Sequence, residues 1–427
     1  MSIRKGNEIE NRSLNEKEIV NEKKRSLDIL SNDLGQIASG FGYLKSLEQL
    51  NLFGSGIQGG IPWSFAKCTH WFIDPSLREL WLQDNLLNGI FHESFRQISS
   101  LEYLDLSNNQ LTGSLPDLVL FPSLRELNLR SKHFHRVIPE CSEKLSELKI
   151  LDASFNRLQG LLEGFRQLFN LDSFDAPFNL LEGIVYESHL SNLCKLKSEL
   201  RIDNNHFTGS LNPICKLQSA TILKLFENNL SGEVPDCWTP IAVPMVLNVA
   251  NNHISGRIPY SLCFSISLSS LYVRKNNLNG QFPTSLKKCQ DLKVLDLGRN
   301  TFKGNIPEWI GTTLAVLGIL SIRLNKFFGS IPSSICQLQS IQILDLSGNH
   351  LSRRIPQGFS NFTTLQLLQD GSSMINDLNP YYIRGPVMYH GNAFVQWKNK
   401  ESDYQNTLWL LETIDLSSND LVGDYWS

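Results

Sequence analysis

Six aspartates, Asp105, Asp152, Asp175, Asp296, Asp345 and Asp415, most invite a catalytic reading of this sequence, since a close pair of carboxylates can act as general acid and base. All six occupy the same place in a recurring short strand, which makes them a spaced, solvated column and not a close pair. His133, His135 and Cys141 come nearest to a metal cluster, but no fourth ligand stands at a sensible spacing for structural zinc. No P-loop, HExxH, GxSxG or kinase signature occurs. The chain is expected to be no enzyme and to carry no cofactor or metal.

The aspartates point back to the element that positions them. The stretch Leu292 to Pro307 reads LKVLDLGRNTFKGNIP, with apolar residues at Leu292, Leu295, Leu297, Phe302 and Ile306. Leu295 to Leu297 alternates as a short strand with its leucines inward. The Asn300 amide can both donate and accept, and so can serve backbone groups of neighbouring coils. Gly304 permits a tight bend, and Pro307 stops strand pairing. One such coil cannot bury its own leucines and needs copies stacked on either side.

The copies are present. The asparagine position recurs about every 24 residues, at Ser55, Asn85, Asn109, Lys132, Asn156, Asn179, Asn205, Asn228, Asn252, Asn276, Asn300, Asn325 and Asn349, with a late one at Asn419. Leu27, Ile29, Asn32 and Leu34 suggest a degraded first coil. The organisation expected is a charged, disordered segment over 1–26, a leucine-rich-repeat solenoid over 27–367, an inserted island over 368–407 and a truncated terminal repeat over 408–427. The net charge of -3 and charged content of 19% give no reason to expect nucleic acid as a partner. The first 26 residues lack the apolar run of a signal peptide, and no apolar run is long enough to span a bilayer.

The second half of the repeat narrows the class. Gly113 to Pro116, Gly232 to Pro235, Gly256 to Pro259, Gly280 to Pro283, Gly304 to Pro307 and Gly329 to Pro332 follow the form GxIP, with Leu, Val or Phe in place of Ile in some. With these repeats the chain resembles the extracellular leucine-rich repeats of plant receptors, which implies an α/β-type repeat solenoid twisted into a plant-specific superhelix, with short parallel strands on its concave face and a second strand at GxIP. Where the period fails, Val395, Trp397, Lys398, Glu401 and Tyr404 match the island pattern VxWKGxExEY of plant receptor-like proteins, with Asn399 replacing glycine, and the PDCW run at Pro235 to Trp238 adds to the match. The tomato-type receptors for fungal ethylene-inducing xylanase are similar.

The resemblance implies a kinase-less ectodomain that recognises a microbial or endogenous protein or peptide in defence, at the extracellular face of the plasma membrane, with an adaptor receptor kinase as partner of the full-length protein. The later parts of that layout, its juxtamembrane stretch and membrane helix, do not follow Ser427. The alternatives are a secreted leucine-rich-repeat inhibitor of microbial wall-degrading enzymes, or a non-signalling fragment or decoy.

Side chains four and two residues before each asparagine should face outward from the strands. Trp81, Arg130, Arg201, Lys224, Phe226, Tyr272, Arg274 and Arg323 form the expected binding row, with Tyr382, Trp397, Lys398, Glu401 and Tyr404 from the island. Aromatics and arginine are frequent interface anchors, and such a row favours a ligand of acidic character. Cys215 and Cys237 fall on the backs of successive coils, where a spacing of about 5 Å suits either a disulfide or two buried thiols. Cys263 and Cys289 match less well in phase and are expected to be merely packed. Cys336 has Gly358 where its mate would stand. Asn229 and Asn361 are candidate glycosylation acceptors, and Asn11 also fits the triplet.

Overall fold

In the computed structural model, residues 25–35, 47–60, 77–90, 100–115, 121–131, 133–137, 147–160, 170–191, 193–239, 244–264, 268–362, 393–397, 400–404 and 413–423 are described. The chain divides into two units, residues 1–208 and 209–427. Both are parallel-strand solenoids. Among the described residues the first unit carries eight short parallel strands in one ladder, from Ser26–Asp28 to Glu199–Arg201, and the second carries seven, from Ile222–Lys224 to Thr413–Asp415. Register is kept from coil to coil: Leu271 pairs with Leu295 and Leu295 with Leu320. The boundary expected at residue 26 falls inside the first strand; those at 367 and 407 lie outside the described residues.

Each strand is three residues long with its central leucine turned in, as in Glu79–Trp81, where Leu80 is buried between half-buried Glu79 and Trp81. A second parallel ladder follows the asparagines, for example Asn277–Gly280, Thr301–Gly304 and Lys326–Gly329, and it ends at the glycine of GxIP. Gly304 has φ +98° there, a conformation that a Cβ disfavours. The proline next opens the back of the coil, its carbonyl accepting from the residue three further on, as in Leu286 N–H to Pro283 O at 3.2 Å. The backs are 3₁₀ turns or five-residue helices such as Trp309–Thr313, so helix content is low.

The asparagine ladder holds the coils in register. The Asn300 amide donates to Leu297 O and Gly298 O of its own coil at 3.1 Å and to Val273 O of the preceding coil at 3.0 Å, while its oxygen accepts from Leu278 N–H at 3.0 Å. Asn85, Asn109, Asn156, Asn252, Asn325 and Asn349 repeat the pattern. Ser55 substitutes its hydroxyl, which donates to Ile29 O. Lys132 lies outside the described residues. Each asparagine follows a residue in the left-handed region, and several of these are large: Phe155, Phe178, Glu227 and Leu324 have φ between 49° and 55°.

Two staples join successive backs in the second unit. Cys215 and Cys237 form a disulfide with Cα atoms 5.9 Å apart. Cys263 and Cys289 form another at 5.2 Å, which corrects the expectation of two packed thiols. Their different phase in sequence is a difference of position within the back, since Cys263 ends one 3₁₀ turn whereas Cys289 follows the next, Thr284–Lys288. Cys336 is a free thiol, and a Cβ built on Gly358 would lie 2.9 Å from its sulfur, where the missing mate would stand.

The break in the period is an insertion between adjacent coils. Strand Ile343–Asp345 pairs directly with Thr413–Asp415, and Asn419 donates to Leu346 O across 73 residues of sequence. Within the insertion the described residues form one antiparallel hairpin, Ala393–Trp397 with Lys400–Tyr404. Trp397, Glu401 and Tyr404 belong to its strands; Tyr382 and Lys398 lie outside the described residues.

Candidate ligand-binding face

The aspartate column has a structural task. Asp105 Oδ1 accepts from Ser107 N–H at 2.9 Å and Ser107 Oγ–H at 2.6 Å; Asp152, Asp296, Asp345 and Asp415 likewise accept from the backbone N–H two residues on. These are turns closed by a side-chain carboxylate, placed where the strand hands over to the left-handed residue. Burial pushes the Asp105 carboxyl up, and the Ser107 hydrogen bonds oppose that shift. Burial likewise pushes Asp345 up to about 6, against the Ser347 and Arg323 contacts. His133 and His135 are exposed, Cys141 lies outside the described residues, and among those described no group of three or more ligands could hold a metal.

In the first unit several outward strand positions are accessible, although Asp105 and Asp203 are buried. Trp81 is half-buried with its ring 5.2 Å from that of Tyr103 on the next strand. Burial, then the charges of Asp105 and Glu126, raise the Tyr103 hydroxyl above its usual range, so it stays protonated. Arg130 is exposed; its guanidinium lies 4.3 Å over the Phe155 ring, which stacks at 4.5 Å on Phe178. Arg201 Nε is 3.4 Å from Asp175 Oδ1. Burial disfavours the Arg201 charge, but Asp175 and Asp203 outweigh it and hold the guanidinium protonated beyond its ordinary range.

In the second unit the strand face is closed. Lys224 and Phe226 are half-buried, but Tyr272, Arg274 and Arg323 are only 3%, 5% and 6% exposed. Strand parity alone predicts these three to face solvent. Instead Tyr272 packs with Ile222, Val246, Ala250, Val294, Ile319 and Ile343, a cluster on the outward side of the strands, and Phe226 packs against it. Arg274 faces Asp296 at 4.0 Å and Arg323 faces Asp345 at 3.7 Å. The cations that suggested an acidic ligand are thus engaged within the ladder.

The residues most informative about a ligand in the first unit were not singled out by the sequence. Phe155 and Phe178 sit at the left-handed position, which the repeat leaves free in residue type, and Glu79, Glu126 and Glu199 sit six before the asparagine, one place outside the pair of positions read there.

Two leucine-rich-repeat family models match the chain, one at residues 70–119 and the other at 291–313 and 340–362. Receptor-like protein EIX2 of Solanum lycopersicum is 51% identical over 225 residues, covering 52% of this chain and 22% of that protein. Over the matched residues the chain is similar to plant leucine-rich-repeat receptor-like proteins. Receptor-like protein EIX1 of the same plant is 55% identical over 121 residues, covering 28% of this chain and 12% of that one. The chain therefore spans about a fifth or less of the length of these curated relatives. Among solved structures, that of a TDR receptor aligns with TM-score 0.73 and 28% identity over 79% of this chain and 57% of that one. The plant peptide hormone receptor RGFR1, solved with RGF2, aligns with TM-score 0.62 and 26% identity over 78% and 60%.

Two further features of the chain bear on its surface. Asn229 is exposed at the start of the strand Asn229–Glu233, so the candidate acceptor is sterically open; Asn361 ends a 3₁₀ turn. Among the described residues no helix is long and apolar enough to cross a membrane.

Proposed function

We propose that this chain is part of the ligand-binding ectodomain of a plant cell-surface receptor that takes a microbial or endogenous protein or peptide and acts in defence through a partner kinase. The observation that carries the reading is the first unit's strand face, where Trp81, Arg130 and Phe155 stand accessible on a rigid ladder. Rigid aromatic and guanidinium groups bind with little loss of side-chain entropy. The likeness to EIX2 supports a defence role, and the likeness to RGFR1, solved with RGF2, supports a peptide or protein ligand. Two inter-coil disulfides fit a chain folded in an oxidising compartment and exposed outside the cell.

The test uses the whole chain, produced through a secretory host, with a fungal xylanase as analyte. Saturable capture that weakens on Trp81→Ala and Arg130→Ala is expected, with the xylanase still active in the complex. Capture that abolishes xylan hydrolysis would instead favour an inhibitor of wall-degrading enzymes. Absence of any saturable binding would remove this class of ligand.

A further inference from the structure

The outward rows of the first unit are strongly biased in charge. Six residues before the asparagine position stand Glu79, Glu126 and Glu199; four before stand Asp28, Asp105, Asp152 and Asp175; two before stands Asp203, and of these Asp105 and Asp203 are buried. Two guanidiniums, Arg130 and Arg201, are the cations in these rows, and both are occupied, one by the Phe155 ring and the other by Asp175. The arginines bordering the rows are also engaged, since Arg78 and Arg125 both pair with Glu102. Glu79 makes no ion pair among the described residues.

Within this field lies an aromatic seat. Register sets Tyr103 directly between Glu79 and Glu126 on the flanking strands, and sets Trp81 beside Asp105. Parallel strands are about 4.8 Å apart, so the ring has a carboxylate one strand away on each side. Both rings and both glutamates are half-buried, open on the outward side. A ring face flanked by carboxylates is favourable ground for an ammonium or guanidinium, which gains the ring quadrupole and the Coulomb term together. The face already demonstrates both modes on its own side chains: Arg130 rides on a ring, and Arg201 sits among Asp175, Asp203, Glu199 and Asp152.

We infer that the strand face of the first unit binds a cationic peptide segment, with one lysine or arginine of that segment seated on the Trp81–Tyr103 pair between Glu79 and Glu126. The inference deepens the receptor reading and rests on it, because it specifies the chemistry of one part of the ligand. It also reverses the sign of ligand charge that the aromatic and cationic row alone suggests. Nucleic acid and anionic lipid are disfavoured partners for this face, since their phosphates would meet the carboxylates of Glu79, Glu126, Asp152, Asp175 and Glu199.

The test is fluorescence anisotropy on the intact secreted chain, using a fluorescein-labelled nine-residue peptide of alternating lysine and glycine and its glutamate counterpart. The lysine peptide should bind, and its affinity should fall about tenfold when salt rises from about 50 to 300 mM. Combined Glu79→Gln, Glu126→Gln and Glu199→Gln should weaken binding about tenfold or more, and Trp81→Ala about fivefold. A control with the same change in charge at exposed glutamates off this face, Glu147→Gln, Glu182→Gln and Glu187→Gln, should stay within about twofold, since screening confines the effect to nearby charges. Equal losses in the control and the strand-face variant, preference for the glutamate peptide, or no binding of either would overturn the inference. Xylanase capture without binding of the lysine peptide retires this inference alone, whereas loss of both retires the receptor reading with it.

Discussion

Asn300 spends one amide on four backbone groups in two coils, none of which has water to turn to. Removing it leaves buried carbonyls and one N–H unserved, each costing about 1–3 kcal/mol. Asn300→Ala should therefore lower stability by about 3 kcal/mol in urea unfolding, while Asn277→Ala, exposed on the second ladder, should change it by less than about 0.5 kcal/mol. Asp345 tests burial against charge. It faces Arg323, Ser347 and Asp415, and burial dominates, lifting it to about 6. The native state then binds more protons than the unfolded chain between about pH 4 and 6, so stability falls as pH rises through that window and is flat above it. The loss contributed is about 3 kcal/mol. Thermal unfolding followed from acid to neutral pH should show this step, and Asp345→Asn should remove most of it; a profile unchanged in the variant would assign the step elsewhere. The leucines and asparagines were legible because each repeats a fixed role. The roles of Asp345 and Arg323 were not, because strand parity gives the direction of a side chain and says nothing of what packs beside it.

At the scale of the element, the close stacking of backs is set by one glycine. A Cβ on Gly311, within the helix Trp309–Thr313, would lie 1.6 Å from Ser334 O and 2.2 Å from its carbonyl carbon on the next back turn. Both are backbone atoms that cannot swing aside. Gly311→Ala must push two adjacent backs apart, and the expected cost is more than about 3 kcal/mol, at the upper end for overpacking. Secreted yield and melting temperature report it; a variant as stable as the parent would mean that the backs are not in this contact. Gly304→Ala, open in front of Gln281 but held at φ +98°, should cost only about 1–2 kcal/mol. The same distinction explains what could be read in advance. GxIP marks Gly304 by its recurrence, whereas Gly311 occurs once, and its necessity comes from a neighbour 23 residues further on. Cys215 and Cys237 were legible because they stand at nearly the same distance past their asparagines, and Cys263 and Cys289 were not because their distances differ more.

At the scale of the whole molecule, the repeat makes stability a sum of coils and of the interfaces between them, so constraints act where they are placed. The described disulfides are confined to the second unit, closing loops of 22 and 26 residues of sequence separation. Each loop is worth about 3 kcal/mol through the entropy it removes from the unfolded chain. The first unit, with its accessible acidic face, has no described staple. Reduction should therefore act unevenly. Hydrogen exchange read by peptide mass spectrometry, with and without a thiol reductant, is expected to show lost protection over residues 209–304 and little change over residues 77–160. Uniform loss along the chain would mean that the coils unfold as one cooperative block, and the staples would then protect the acidic face as much as the closed one. The uneven outcome would separate two tasks: the second unit would be the one braced against proteolysis and heat, while the first would keep its outward side chains available at the cost of weaker local protection.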